Sequence, residues 1–136
     1  MSEAPGTHYR FFDFTVLVRD LDPQAHMANH VYVAYLAEAR AQFMQVFEGG
    51  PSTLRPSVVA EVHCQYLSPL LARERFRVGV RVARVGRTSI GFEYEISTPD
   101  RVVGRAESVE VLVDAETRRP REVPSELRAQ LAGSWG

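Results

Sequence analysis

Asp22, His26, Asn29 and His30 fall close together in the chain and carry groups able to work on a polarised carbonyl. A carboxylate at Asp22 can serve as a nucleophile or as the base for a water molecule. Asp22-Pro23 is also a common way to open a turn, so a plain turn former is the competing reading. Asn29 stands where a helix begins, and the first-turn N–H groups of a helix have no intrahelical acceptors. Free donors at a helix start, reinforced by the helix dipole, suit an oxyanion. For Asn29 the competing reading is an N-cap, and both hold at once because capping uses the side chain. His26 and His30 have the four-residue spacing of a helical metal pair. His26 precedes the helix, however, and no nearby Glu completes a zinc-hydrolase motif, so no metal is expected.

Other reactive types are more scattered. Glu38 and Arg40 are two apart and must face different ways on a helix. Arg84 and Arg87 flank a Val85-Gly86 turn, where guanidinium groups could bind phosphates. The arginines at 73, 75, 77 and 81 read as the solvated face of an amphipathic strand, as do Glu61 and His63. Cys64 lies mid-strand on an apolar parity and reads as a small buried hydrophobe.

These groups need elements to hold them, and the periodicity supplies a set. Tyr9 to Val18 alternates, with Phe12, Phe14, Val16 and Val18 on one parity. From Asn29, an apolar stripe through Tyr32, Tyr35, Leu36, Ala39, Phe43, Val46 and Phe47 predicts one helix of about 18 residues, ended by Gly49, Gly50 and Pro51. Strands follow. Val58, Ala60, Val62, Cys64 and Tyr66 share a parity, as do Phe76, Val78, Val80 and Val82, and then Ile90, Phe92, Tyr94 and Ile96. Val102 to Val113 is the last strand, with a parity shift near Ser108 read as a bulge. Pro124 to Leu131 predicts a short terminal helix. The order makes an α+β domain, residues 1–136, with the long helix laid on a five-stranded, mostly antiparallel sheet. Two sheet edges predict pairing between subunits.

Composition narrows the chemistry further. The chain has 136 residues, which is room for one domain. All 16 basic residues are arginines, so Schiff-base chemistry and a P-loop lysine are excluded. A net charge of -1 argues against a nucleic-acid partner. The single Cys64 allows no intramolecular disulfide, and no apolar run approaches a membrane span. A cytoplasmic protein without membrane or cofactor is the expectation.

The run Asp22-Pro23-Gln24-Ala25-His26-Met27-Ala28-Asn29-His30-Val31-Tyr32 resembles the Asp-x-x-Gly-His-x-Asn-Asn-x-x-Tyr segment of hot-dog-fold acyl-CoA thioesterases. Those are the 4-hydroxybenzoyl-CoA thioesterase class and their acyl-CoA hydrolase relatives. Tyr35-Leu36-Ala37-Glu38-Ala39-Arg40, Tyr66-Leu67-Ser68-Pro69, Val85-Gly86-Arg87-Thr88-Ser89 and Val113-Asp114 extend the likeness over about residues 9 to 130. Ala25 stands where the family usually has Gly, and Ala28 where it usually has its first Asn.

The resemblance implies a hot-dog fold, a sheet wrapped around one central helix, and hydrolysis of an acyl-CoA thioester. It implies Asp22 as nucleophile or base, Asn29 supplying the amide that polarises the carbonyl, and His26 orienting the loop. His30, Tyr32, Arg84 and Arg87 would bind substrate, and Glu38 is the alternative catalytic carboxylate. Homodimers or homotetramers with sites between subunits are implied as well. A hot-dog hydratase or dehydratase, and a non-catalytic acyl-binding module, are the competing functions.

Overall fold

The computed structural model describes residues 8–45 and 56–133. Five strands form one antiparallel sheet: β1 (Arg10–Thr15), β2 (Ser57–Tyr66), β3 (Arg75–Val85), β4 (Ser89–Thr98) and β5 (Arg101–Leu112). Their order is β1-β3-β4-β5-β2, so β2 crosses the domain to pair with β5, and β1 and β2 are the edges. Helix α1 (Asn29–Met44) makes that crossing and packs on β3 and β1; α2 (Ser125–Gly133) follows the last strand.

The strand alternation predicts the core well. Phe76, Val78, Val80 and Val82 of β3 and Ile90, Phe92, Tyr94 and Ile96 of β4 are all buried. Against them α1 lays Tyr32, Leu36, Ala39 and Phe43, the predicted stripe. Its expected end, from Val46 to Pro51, lies outside the described residues. Pro124 takes the cap position of α2, its carbonyl accepting the Arg128 N–H at 2.9 Å.

Four expectations need correction. Strand β1 stops at Thr15, and Val18 enters a 3-10 turn, Val18–Asp20, where it is exposed rather than inward-facing. The cap of α1 is Ala28, which makes no side-chain cap bond, and Asn29 is already helical. Backbone bonds do the fixing instead: Met27 N–H to the Leu70 carbonyl (2.8 Å) and Ala28 N–H to the Asp20 carbonyl (2.9 Å). In β2 the register shifts between Val59 and Glu61, so the apolar parity breaks at Ala60, and most of the strand is exposed because α1 lies over the other strands.

The predicted bulge at Ser108 is absent. The β4–β5 register runs unbroken there, and its shift falls between Ile96 and Ser97. Ser108 and Glu110 simply take inward positions among Ala106 and Leu112, and a polar network satisfies them. Tyr94 Oη and Ser108 Oγ are 2.7 Å apart, and Arg40 Nη1 donates to Tyr94 Oη at 2.8 Å. Ser57 Oγ donates to Glu110 Oε2 at 2.7 Å, and Arg40 Nε approaches Glu110 Oε1 at 3.1 Å. That last approach is an ion pair off the line of a hydrogen bond, so Oε1 has no hydrogen-bond partner among the described residues.

Candidate active site

Between the 3-10 turn and α1 the chain makes a tight loop around Asp22. Asp22 Oδ1 accepts the N–H groups of Gln24 (2.8 Å) and His26 (3.2 Å). The Asp22 N–H donates to the His26 carbonyl (2.8 Å), and the Ala25 N–H to the Asp22 carbonyl (2.9 Å). One carboxylate oxygen is thus committed to the turn, while no bond is formed by Oδ2 among the described residues. Ala25 sits at φ 64°. This is the left-handed region, which costs a residue with a Cβ about 1–2 kcal/mol and explains why a glycine suits the position.

His26 holds this loop through its backbone, as donor to Asp22 Oδ1, acceptor from the Asp22 N–H, and an isolated bridge to Leu71. The expected orienting role is therefore filled by the main chain. Upstream, the buried Asp20 is a residue the sequence reading missed. Its Oδ2 accepts the Leu17 N–H (2.9 Å) and the Tyr35 hydroxyl (2.6 Å), which ties the loop's entry to α1. Burial and that bond push the Tyr35 hydroxyl pKa up to about 12.

The start of α1 follows immediately. Asn29 and His30 are both exposed, and as first-turn residues their N–H groups have no intrahelical carbonyl to bond. The Asn29 carbonyl accepts the Tyr66 hydroxyl from the end of β2 at 3.3 Å. Tyr32, expected both on the apolar stripe and against substrate, meets the first expectation. It lies in the core, ring edge against Tyr66 with centroids 5.0 Å apart, and burial raises its hydroxyl to about 12. It supports the floor of the helix start instead of offering a surface to a ligand. The Leu21–Met27 bridge and the bond from the Ala28 N–H to the Asp20 carbonyl fold the Asp22 loop back on the residues that lead into α1.

Other candidates lie elsewhere. Glu38 is exposed on α1, with only the Gln42 amide at 3.4 Å, whereas Arg40 turns inward to Glu110 and Tyr94. Arg84 and Arg87 stand at the far end of the sheet. Arg84 is nine residues beyond Arg75 on β3, a span of about 30 Å from the end nearest Asp22. Arg87 pairs at the surface with Glu122 (3.2 Å), and Arg128 fixes the turn by donating to the Gly86 carbonyl at 2.9 Å.

On the outer sheet face, Arg77 lies over the Phe11 ring at 3.9 Å and Arg81 over Tyr9 at 4.6 Å, where solvation alone was expected. Glu61 and His63 line an open groove of about 790 Å³ on that face with Arg84, Glu93 and Glu107, away from Asp22. Cys64 is half-buried, and burial pushes its thiol up, away from thiolate chemistry. Among the described residues no cluster of three or more His, Cys, Asp or Glu is arranged to hold a metal ion, and no helix is long and apolar enough to cross a membrane.

The pattern defining the thioesterase-like superfamily matches residues 16–131. No curated protein matches the chain. Solved structures do. A Thermus thermophilus thioesterase complexed with coenzyme A and Zn is 27% identical, with TM-score 0.80, 96% of this chain covered and 95% of the other. A hypothetical protein from Aquifex aeolicus aligns at TM-score 0.82 and 22% identity over 90% of this chain and 98% of its own. A 1,4-dihydroxy-2-naphthoyl-CoA thioesterase from Synechocystis aligns at TM-score 0.79 and 14% identity over 90% and 95%. The fold they share with this chain is the hot-dog.

Proposed function

The chain belongs to the thioesterase-like superfamily and is a thioester hydrolase, and from that premise we propose that it cleaves acyl-CoA esters with Asp22 at the carbonyl. The observation that carries this reading is a carboxylate, with Oδ2 uncommitted among the described residues, on the loop that runs into the first-turn amides of α1. In this reading the Asn29 N–H polarises the thioester carbonyl, with His30 beside it, and stabilises the oxyanion as it forms. Asp22 either attacks the carbonyl carbon or takes a proton from the water that does; the C–S bond then breaks and the thiolate leaves. Coenzyme A as carrier is supported by the similar Thermus thermophilus thioesterase, whose structure holds it. A thiol-detecting assay over acyl-CoA esters of graded chain length tests the reading. Release of CoA thiol supports it, whereas a changed acyl group with the thioester intact points to hydratase chemistry.

Arg84 and Arg87 are too far along β3 to reach the phosphates of a ligand whose thioester lies at Asp22 of the same chain. We therefore assign them to the site of a neighbouring subunit. Edge strand β2 supports such an assembly, with Val58 50%, Val62 40% and Tyr66 44% exposed. An unpaired apolar edge of this kind favours pairing with a second chain. Light scattering should show a dimer or tetramer; a stable, active monomer would contradict this. Arg87→Ala should raise KM for CoA esters about tenfold with kcat nearly intact, the mark of lost uniform binding. Unchanged KM in Arg84→Ala, Arg87→Ala and the double variant would return both residues to the solvated surface.

One observation favours a second reading. Asp22 Oδ1 accepts two backbone N–H groups, which is how a turn-forming Asp behaves. In that case Glu38 is the catalytic carboxylate, and substitution at Asp22 separates the two.

A further inference from the structure

Arg101 opens β5, and all three of its guanidinium nitrogens are engaged. Nε donates to Ser68 Oγ (2.9 Å), Nη1 to Glu74 Oε2 (2.8 Å), and Nη2 to both Glu74 Oε1 (2.9 Å) and the Pro69 carbonyl (2.7 Å). These principal acceptors lie in the irregular segment 67–74 between β2 and β3. Glu74 Oε1 also accepts the Leu71 N–H at 3.0 Å, so the fork clamps the segment on both sides of Leu70 and Leu71.

Leu70 and Leu71 are what the Asp22 loop hangs on. The Leu70 carbonyl accepts the Met27 N–H at 2.8 Å, and Leu71 bridges His26. The His26 N–H in turn holds Asp22 Oδ1. Two relays thus join the guanidinium to the carboxylate: the 68–74 segment with its Leu70 and Leu71, then Met27 and His26. The Arg101–Glu74 side chains are 30% and 25% exposed, and a pair so accessible to water adds little stability. Its several bonds are better accounted for by the geometry they impose. Only a planar fork satisfies Ser68, Pro69 and Glu74 together; the single ammonium of a lysine does not.

We propose that Arg101 is a positioning residue for the Asp22 carboxylate, acting through the 68–74 segment. This rests on the catalytic reading of Asp22. The hydrogen bonds from Arg101 hold the Glu74 carboxyl below its usual range, so the clamp is complete at neutral pH and is lost only as pH falls through that lowered value.

The test uses Arg101→Met and Arg101→Lys in the full chain, with two readouts. Amide hydrogen exchange at Met27 and His26 should quicken about tenfold in Arg101→Met, because the Leu70 acceptor of Met27 and the Leu71 bridge that seats His26 are no longer held. On acyl-CoA, kcat should fall roughly 10- to 100-fold, with KM moving less than about threefold, as expected when a reactive group is misplaced while binding survives. Arg101→Lys should lie between Arg101→Met and the parent in both readouts. Should Arg101→Met fail to fold, Ser68→Ala removes one bond of the fork and should move both readouts the same way by less. Unchanged exchange at Met27 and His26, or unchanged kcat in a folded variant of an active parent, overturns the proposal. An inactive parent defeats the catalytic reading instead, and exchange still decides whether Arg101 holds the loop.

Discussion

Arg40→Met loses about 3–5 kcal/mol of folding stability, a loss as large as truncating a core aromatic. Arg40 and Glu110 form an ion pair whose side chains are only 15% and 11% exposed. Removing the guanidinium leaves a carboxylate in the core with Ser57 as its one hydrogen-bond donor among the described residues, and deprives the Tyr94 hydroxyl of a donor. A buried charge without its partner costs far more than the pair itself contributes. Replacing both, as Arg40→Met with Glu110→Leu, should therefore recover most of the loss. Urea unfolding of the four proteins of the cycle measures this, with a coupling of about 2–3 kcal/mol expected. Strict additivity would show that the two side chains do not depend on each other.

That network also marks where the sequence ceases to be legible. Strands β3 and β4 and the apolar stripe of α1 are readable because strict alternation and a 3.6-residue repeat have one cheap solution, a sheet with a helix on one face. At Ser108 and Glu110 the same rule misleads: polar residues occupy inward positions, and the break in apolar parity looks like a bulge. The partners that make this tolerable, Arg40, Tyr94 and Ser57, come from three other elements, and no local pattern announces them. Ala60 is the reverse case, a real register shift inside a run that looks regular.

The candidate site divides in a similar way. Asp22, Asn29 and His30 can be proposed from spacing because they lie on one loop that runs straight into a helix start. The hydrogen bonding expected between His26 and the Asp22 loop runs through the His26 backbone, a detail that residue type does not specify. Asn29 reads as a cap from residue type alone, yet tethers from Leu70 and Asp20 set the boundary one residue earlier. Asp20 and Arg101 act through distant contacts, and neither belongs to a short motif. Arg84 and Arg87 carry suitable charge, but only the strand length shows that Arg84 stands about 30 Å from the end of β3 nearest the Asp22 loop.

Asp22→Asn lowers kcat by about 10²–10⁴-fold, since an amide is neither basic nor adequately nucleophilic. The structure makes this substitution unusually clean. An asparagine Oδ1 can still accept the Gln24 and His26 N–H groups, and the backbone bonds between Asp22 and His26 do not involve the side chain. Stability should stay within about 0.5 kcal/mol of the parent, and KM should barely move. Single turnover in ¹⁸O-water then shows where water attacks. Label entering the Asp22 carboxylate reports an anhydride intermediate opened at the Asp22 carbonyl, whereas label only in the released acid places the attack of water at the acyl carbon.

The most direct measurement follows CoA thiol release from one acyl-CoA ester by the parent and Asp22→Asn, with thermal melts taken on the same preparations. Catalysis by the Asp22 carboxylate predicts rapid release by the parent, release slowed by at least about 10²-fold in the variant, and coincident melts. Equal release by two well-folded proteins would contradict it, leaving Asp22 a turn former and Glu38 the carboxylate to test.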